Sequence, residues 1–170
     1  MPSVKISTGF SELLPVKNIA GVIRAIPENA ELWIVGDGPE RNKLEKLAKQ
    51  LDKKTIFFGR VDNQKARKLM SQSDIFVLNS FHEGMPHALL EALAEGVPII
   101  ATRIPAITEI LTDKVTGLFV NVDDPEDLAK KISEIENYPK LTENGRKLFE
   151  EKFTWNSHLS KLRDIFDNIS

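Results

Sequence analysis

The chain has 170 residues, 41% hydrophobic and 28% charged, which fits one globular domain around a single core and excludes disordered and fibrous classes. Lys and Arg number 23 against 25 Asp and Glu, a balance that excludes the basic excess on which nucleic-acid binding depends. Cysteine is absent and the only imidazoles are His82, His87 and His158, so neither disulfides nor a structural zinc site is expected, and no metal or other cofactor is assigned.

In chain order, short apolar runs rich in β-formers alternate with stretches of helical period. Val4 to Thr8 is the first predicted strand, and Ile19, Val22, Ile23 and Ile26 then recur at helical spacing. Leu32 to Val35 is the second strand, followed by the stripe Leu44, Leu47, Ala48 and Leu51. Thr55 to Phe58 precedes Ala66, Leu69 and Met70, and Ile75 to Leu78, Val97 to Ala101 and Leu118 to Val120 complete the strands. The runs are nearly continuous in Ile, Val, Leu and Phe, so both faces of the sheet should be covered. The predicted fold is α/β, a Rossmann-like doubly wound parallel sheet of about six strands with a helical C-terminal tail. Residues 1-137 form the binding domain and 138-170 a helical extension of it. Helix is expected from Pro125 through Tyr138 and, with interruptions, from Lys140 to Ile169. The last helix starts at a Thr154 cap and carries Leu159, Leu162, Ile165, Phe166 and Ile169. Met1 to Gly9 lacks the apolar run of a secretory signal, and no stretch approaches the ~20 apolar residues of a membrane span. The expected location is the cytoplasm or the cytoplasmic face of a membrane.

Ligands of open α/β sheets bind beyond the carboxyl ends of the strands, which directs attention to three turns. His82-Glu83-Gly84-Met85-Pro86-His87 follows the fourth strand and runs into a helix carrying Glu91. Pro86 suits the first helical position, so the amides of Gly84 and Met85 should point outward as an anion site. Glu83 at the rim and Glu91 more than two turns later present carboxylates, which accept hydrogen bonds from sugar hydroxyls. Read alone, the pair is better explained as a helix-dipole carboxylate and a solvated helix residue. Val35-Gly36-Asp37-Gly38-Pro39-Glu40 joins a strand to a helix. A third glycine is missing, Arg41 standing in its place, and the motif is not on the first strand, so a redox dinucleotide site is disfavoured and a tight turn before a helix opened by Pro39 is the simpler role. Ser11 to Ile19 follows the first strand and offers Lys17, which alone reads as a solvated lysine.

The unbroken string from Glu83 to Thr102, Glu-Gly-Met-Pro-x-Ala-Leu-Leu-Glu-Ala-Leu-Ala-x-Gly-Val-Pro-Ile-Ile-Ala-Thr, resembles the Glu-x7-Glu signature of retaining glycosyltransferases with the GT-B fold, in the glycosyl transferases group 1 family. The resemblance runs from about Val4 to Val122. It implies a C-terminal, donor-binding lobe for a nucleotide-diphospho-sugar, with Glu83 against the donor sugar and Lys17 on the diphosphate as catalytic groups. Gly84, Met85, Pro86, Glu91, Gly36, Gly38 and Val61 are implied around the donor, with Glu91 on the ribose hydroxyls and the backbone near Val61 on the base. Arg60 reads better as a surface charge. Glu12 falls where the family usually carries an arginine, and a carboxylate there would repel a diphosphate. Ala106 stands where glycine is common, and Glu109 fits ligand contact and a local hydrogen bond equally. The resemblance covers one lobe, so the acceptor is expected on an N-terminal lobe or a partner chain, with little transfer by this chain alone. The alternative is an inactive sugar-nucleotide-binding or interaction module.

Overall fold

The computed structural model describes residues 3–154. Six strands form one all-parallel sheet: β1 Val4–Gly9, β2 Ala30–Val35, β3 Thr55–Gly59, β4 Ile75–Leu78, β5 Ile99–Thr102 and β6 Leu118–Val120. Their order is β3-β2-β1-β4-β5-β6, the doubly wound Rossmann arrangement, and the connection direction reverses between β1 and β4. That reversal opens a crevice at the carboxyl ends of the two neighbouring strands.

Among the described residues seven α-helices connect and cover the strands: α1 Ile19–Ala25, α2 Arg41–Gln50, α3 Asn63–Ser71, α4 His87–Glu95, α5 Pro105–Thr108, α6 Pro125–Glu134 and α7 Leu141–Lys152. Side chains alternate along each strand. Ile75 and Val77 of β4 join Leu32 and Ile34 of β2 in one core with α1, α2 and α6, while Phe76 and Leu78 join Ile99, Leu89 and Leu93 in a second beneath α4. Both faces are therefore dry, which is why β4 is buried at all four residues. On the edge of the second face, Trp33 and Val35 meet Leu69 of α3.

Several boundaries differ from the sequence expectation. β5 begins at Ile99, not Val97, because Val97 donates to the Ala92 carbonyl at 3.0 Å and closes α4 through left-handed Gly96, while Pro98 has no N–H to give a ladder. α2 begins at Arg41, two residues after Pro39, with Glu40 as its cap. In the tail, Asp124 caps α6 by accepting from Asp127 N at 3.0 Å, and a 3-10 turn spans Ile135–Asn137. α7 packs across α4: Leu148 and Phe149 join the second core, and Gly145 admits Leu93, whose Cδ2 would stand 2.9 Å from any Cβ there. Of the last helix, expected to start at a Thr154 cap and to carry Leu159 to Ile169, only Thr154 is among the described residues, and its hydroxyl donates to the Glu150 carbonyl at 3.1 Å.

Candidate functional site

The turn after β1 is built for close approach to its neighbours. Phe10 N donates to Val35 O, Leu13 N to Asp37 O at 3.0 Å and Glu40 N to Leu13 O at 3.2 Å, so this loop is laced to the turn after β2. The two glycines of that turn make the lacing possible. A Cβ on Gly36 would lie 2.0 Å from the Ser11 carbonyl oxygen and one on Gly38 2.6 Å from Leu13 N. The Gly-x-Gly spacing thus admits another loop's backbone, a role that its position before a helix did not reveal. Glu12 projects from the same loop into solvent.

The loop ends in a 3-10 turn, Pro15–Lys17, followed by Asn18 at φ 45° and ψ 41°. Asparagine is one of the few residues with a side chain that tolerates this left-handed geometry. Its Oδ1 accepts from Gly21 N at 3.3 Å and caps α1, and this capping aims the preceding Lys17 across the crevice toward β4.

Lys17 Nζ donates to both carboxylate oxygens of Glu83, each at 2.9 Å. The Lys17 side chain is 20% exposed and that of Glu83 only 6%, so the strand reversal brings together two charges 66 positions apart and withdraws one almost wholly from water. Glu83 has a second partner in Ser80, whose buried hydroxyl donates to Oε1. Thr102 at the end of β5 donates to the Ser80 carbonyl at 2.8 Å, and Asn79 donates to the Asn18 carbonyl at 3.3 Å. Asn79 and Ser80 went unremarked in the sequence; the available signal was two polar residues at the carboxyl end of a fully apolar strand.

Gly84 and Met85 follow, both exposed, Met85 at 62%. Neither amide donates to a backbone acceptor among the described residues, whereas His87 N donates back to Met85 O at 2.9 Å. Pro86 is the cap of α4 rather than its first residue, so the helix begins one residue later than expected, and the Pro86 carbonyl accepts from Leu89 N at 3.0 Å and Leu90 N at 3.3 Å. The Gly84 and Met85 amides therefore precede the helix and lead its positive end.

Beside this corner, between the loop after β1, the turns after β2 and β3, and helices α3 and α4, lies a cleft of about 790 Å³. Phe10, Val35, Val61, Leu90 and Phe149 give it apolar walls, Gly36 contributes backbone, and Arg60, Arg67 and Glu91 bring charge. Arg67 is held by Glu95, Nε to Oε1 at 2.7 Å, and Glu91 is exposed on α4. The lining unites Glu91, Val61 and Gly36; Gly38 faces the Ser11–Leu13 backbone instead, and Lys17, Glu83, Gly84 and Met85 form the adjoining corner. Ala106 and Glu109 lie at the short helix α5 and its end, with Glu109 N bonded to Pro105 O at 3.0 Å. Among the described residues no group of three or more His, Asp or Glu side chains is placed to hold a metal ion, and no helix is long and apolar enough to cross a membrane.

A buried ion pair at the reversal point, free amides ahead of a helix and an adjoining half-apolar cleft together form a site for an elongated anionic ligand. Known proteins share this framework. The family model "Glycosyl transferases group 1" matches residues 5–148. The chain is 33% identical over 167 residues to a lipopolysaccharide core biosynthesis glycosyltransferase, LpsD, of Rhizobium meliloti, covering 94% of this chain and 48% of that protein. Among solved structures, Anabaena Alr3699/HepE in complex with UDP superposes with a TM-score of 0.85 at 18% identity, over 98% of this chain and 49% of that one. The C-terminal domain of a glycosyl transferase group 1 family protein, LpcC, from Francisella tularensis superposes at 0.79 with 26% identity, over 91% of this chain and 89% of that one. The chain spans about half the length of the curated relatives it matches. The chain therefore belongs to the glycosyl transferases group 1 family and has the fold of a GT-B C-terminal domain.

Proposed function

We propose that the chain is the donor-binding half of a retaining glycosyltransferase that takes a nucleotide-diphospho-sugar and transfers a hexose-type sugar to an acceptor held by a separate N-terminal lobe or partner chain. The observation that carries this reading is the Lys17–Glu83 pair at the β1/β4 reversal, beside the exposed Gly84 and Met85 amides. The nucleoside occupies the adjoining cleft, with Glu91 accepting from ribose hydroxyls and the backbone around Val61 and Gly36 close to the base. The diphosphate rests on the two amides and on Lys17.

When the bond from the anomeric carbon to the diphosphate breaks, negative charge grows on the leaving phosphate. Fixed donors already aimed at that place stabilise it without reorganisation. In this reading the lysine and the amides supply the positive field that a divalent ion would otherwise give, and Glu83 accepts from a donor-sugar hydroxyl, setting its orientation. Glu12 points into solvent, which screens its repulsion of the diphosphate. The reaction would run in the cytoplasm or at the cytoplasmic face of a membrane, and closure by the second lobe would exclude water.

Calorimetric titration with UDP, GDP and ADP tests the proposal. One nucleotide should bind in the presence of EDTA, and Glu91→Ala should weaken it by roughly tenfold or more, the loss of a charge-assisted hydrogen bond pair. Because Glu91 is exposed, its melting temperature should not move. Failure of all three nucleotides at millimolar concentration would sink the reading.

A further inference from the structure

Lys17 and Glu83 have different tasks in the proposed reaction, yet in the free chain each is the other's partner. A diphosphate competes with Glu83 for the Lys17 ammonium, and a partly exposed lysine on a flexible stem can turn to meet it. Glu83, whose side chain is 94% out of water by its 6% exposure, then loses the cation that holds both its oxygens. An unrestrained carboxylate would rotate toward solvent and present no fixed acceptor to the sugar. What remains on it is the hydroxyl of Ser80, which is itself fully buried. Ser80 is fixed in turn, since its carbonyl takes the Thr102 hydroxyl at 2.8 Å and ties the ends of β4 and β5 together.

We propose that Ser80 is a positioning residue for donor-sugar recognition: it keeps the Glu83 carboxylate in place when the donor's diphosphate draws Lys17 away. This rests on the proposed donor site. Ser80 adds nothing to the grip on a bare nucleoside diphosphate, whose contacts lie with the amides, Lys17 and the cleft. It adds to the grip on the sugar, and that difference separates positioning from general structural support.

The test compares affinities of the full chain for UDP, GDP and ADP with those for UDP-glucose, UDP-N-acetylglucosamine, GDP-mannose and ADP-glucose, in wild type and Ser80→Ala. The wild-type chain should prefer one conjugate over its parent diphosphate. Ser80→Ala should keep diphosphate affinity within about twofold and lose roughly tenfold of that preference, as expected for one hydrogen bond to a charged group. Ser80→Thr, which retains the hydroxyl, should restore it. Should the added methyl prevent folding by thermal melt, Ser80→Cys, close in volume and a weak donor, should fall between serine and alanine. A preference unchanged in Ser80→Ala overturns the proposal, as does a folded Ser80→Ala that loses diphosphate and conjugate equally. If wild type binds diphosphates without any preference for a conjugate, Ser80 has no such role although the donor site stands. If it binds none of the seven, the donor site itself falls and Ser80 with it.

Discussion

Two lysine–glutamate pairs bracket the sheet at opposite rims. At the carboxyl rim, Lys17 and Glu83 come from loops after β1 and β4, and the lysine meets both oxygens at 2.9 Å. At the amino rim, Lys54 meets one oxygen of Glu31 at 2.6 Å and Trp33 Nε1 donates to the other at 2.6 Å. The glutamates are similarly withdrawn from water, 6% and 13% exposed, but the lysines differ, 20% against 60%. The amino-rim pair joins the starts of adjacent strands and pins an edge. The carboxyl-rim pair withdraws an anion and most of a cation from water where the fold reverses, and burial of that kind is seldom a net gain in stability. A costly charge pair held at the crevice is better explained by what binds there than by what it adds to folding.

The largest expected effect comes from breaking that pair on one side. Lys17→Met keeps the stem and removes the charge, leaving the Glu83 carboxylate with Ser80 alone, and should cost about 3 kcal/mol in chemical denaturation, at the low end for an orphaned buried partner because Lys17 is partly solvated. A loss below ~1 kcal/mol would mean that Glu83 turns out to water freely and that the two rims are equivalent. Next in size is a pair of glycines in the same region. Gly36 has φ +129° and a new Cβ would strike the Ser11 carbonyl oxygen at 2.0 Å, so Gly36→Ala should cost more than about 2 kcal/mol. Gly84 has nothing within 4 Å of that position, and Gly84→Ala should stay within about 0.5 kcal/mol. Equal costs would show that the loop after β1 is not clamped by the turn after β2.

The strands were legible because burial on both faces writes itself as continuous apolar runs, and four of the six begin where the runs begin: Val4, Thr55, Ile75 and Leu118. β2 starts two residues early, at Ala30, with Glu31 drawn into the ladder by pairing beside β1. The apolar Val97-Pro98 dipeptide read as strand for the opposite reason, since hydrophobicity does not report that proline has no ladder donor. Around the site, Glu83 and Lys17 were singled out separately, but their contact depends on β4 lying next to β1, a matter of strand order that no local spacing encodes. Ser80 and Asn79 were hidden by the same rule: at a strand end a polar residue reads as the edge of the core, and only the neighbouring strand shows what it holds. Gly36 and Gly38 were read for the turn they make, while the loop packed onto them comes from more than twenty positions upstream.

The smallest expected effect isolates the amino rim and tests whether its pair is only structural. The hydrogen bond from Lys54, with that from Trp33 second, holds the Glu31 carboxyl below its ordinary value near 4.5. A carboxylate whose folded pKa lies below its unfolded one contributes stability that is complete above the unfolded value and disappears as pH falls through the folded one. Glu31→Gln can still accept from Trp33 but has no charge for Lys54, so wild type should exceed the variant by under about 1 kcal/mol at pH 7, with exposed Lys54 well screened. Urea denaturation repeated at falling pH should show the gap closing once pH passes below about 4.5. A gap that stays constant into acid would assign it to packing or to the Trp33 hydrogen bond and remove the charge from the account. Because Glu31 stands at the start of β2 and the cleft opens beyond that strand's end, nucleotide affinity should be the same in both proteins; if it falls with Glu31→Gln, the two rims communicate through the sheet and the division of labour between the two pairs fails.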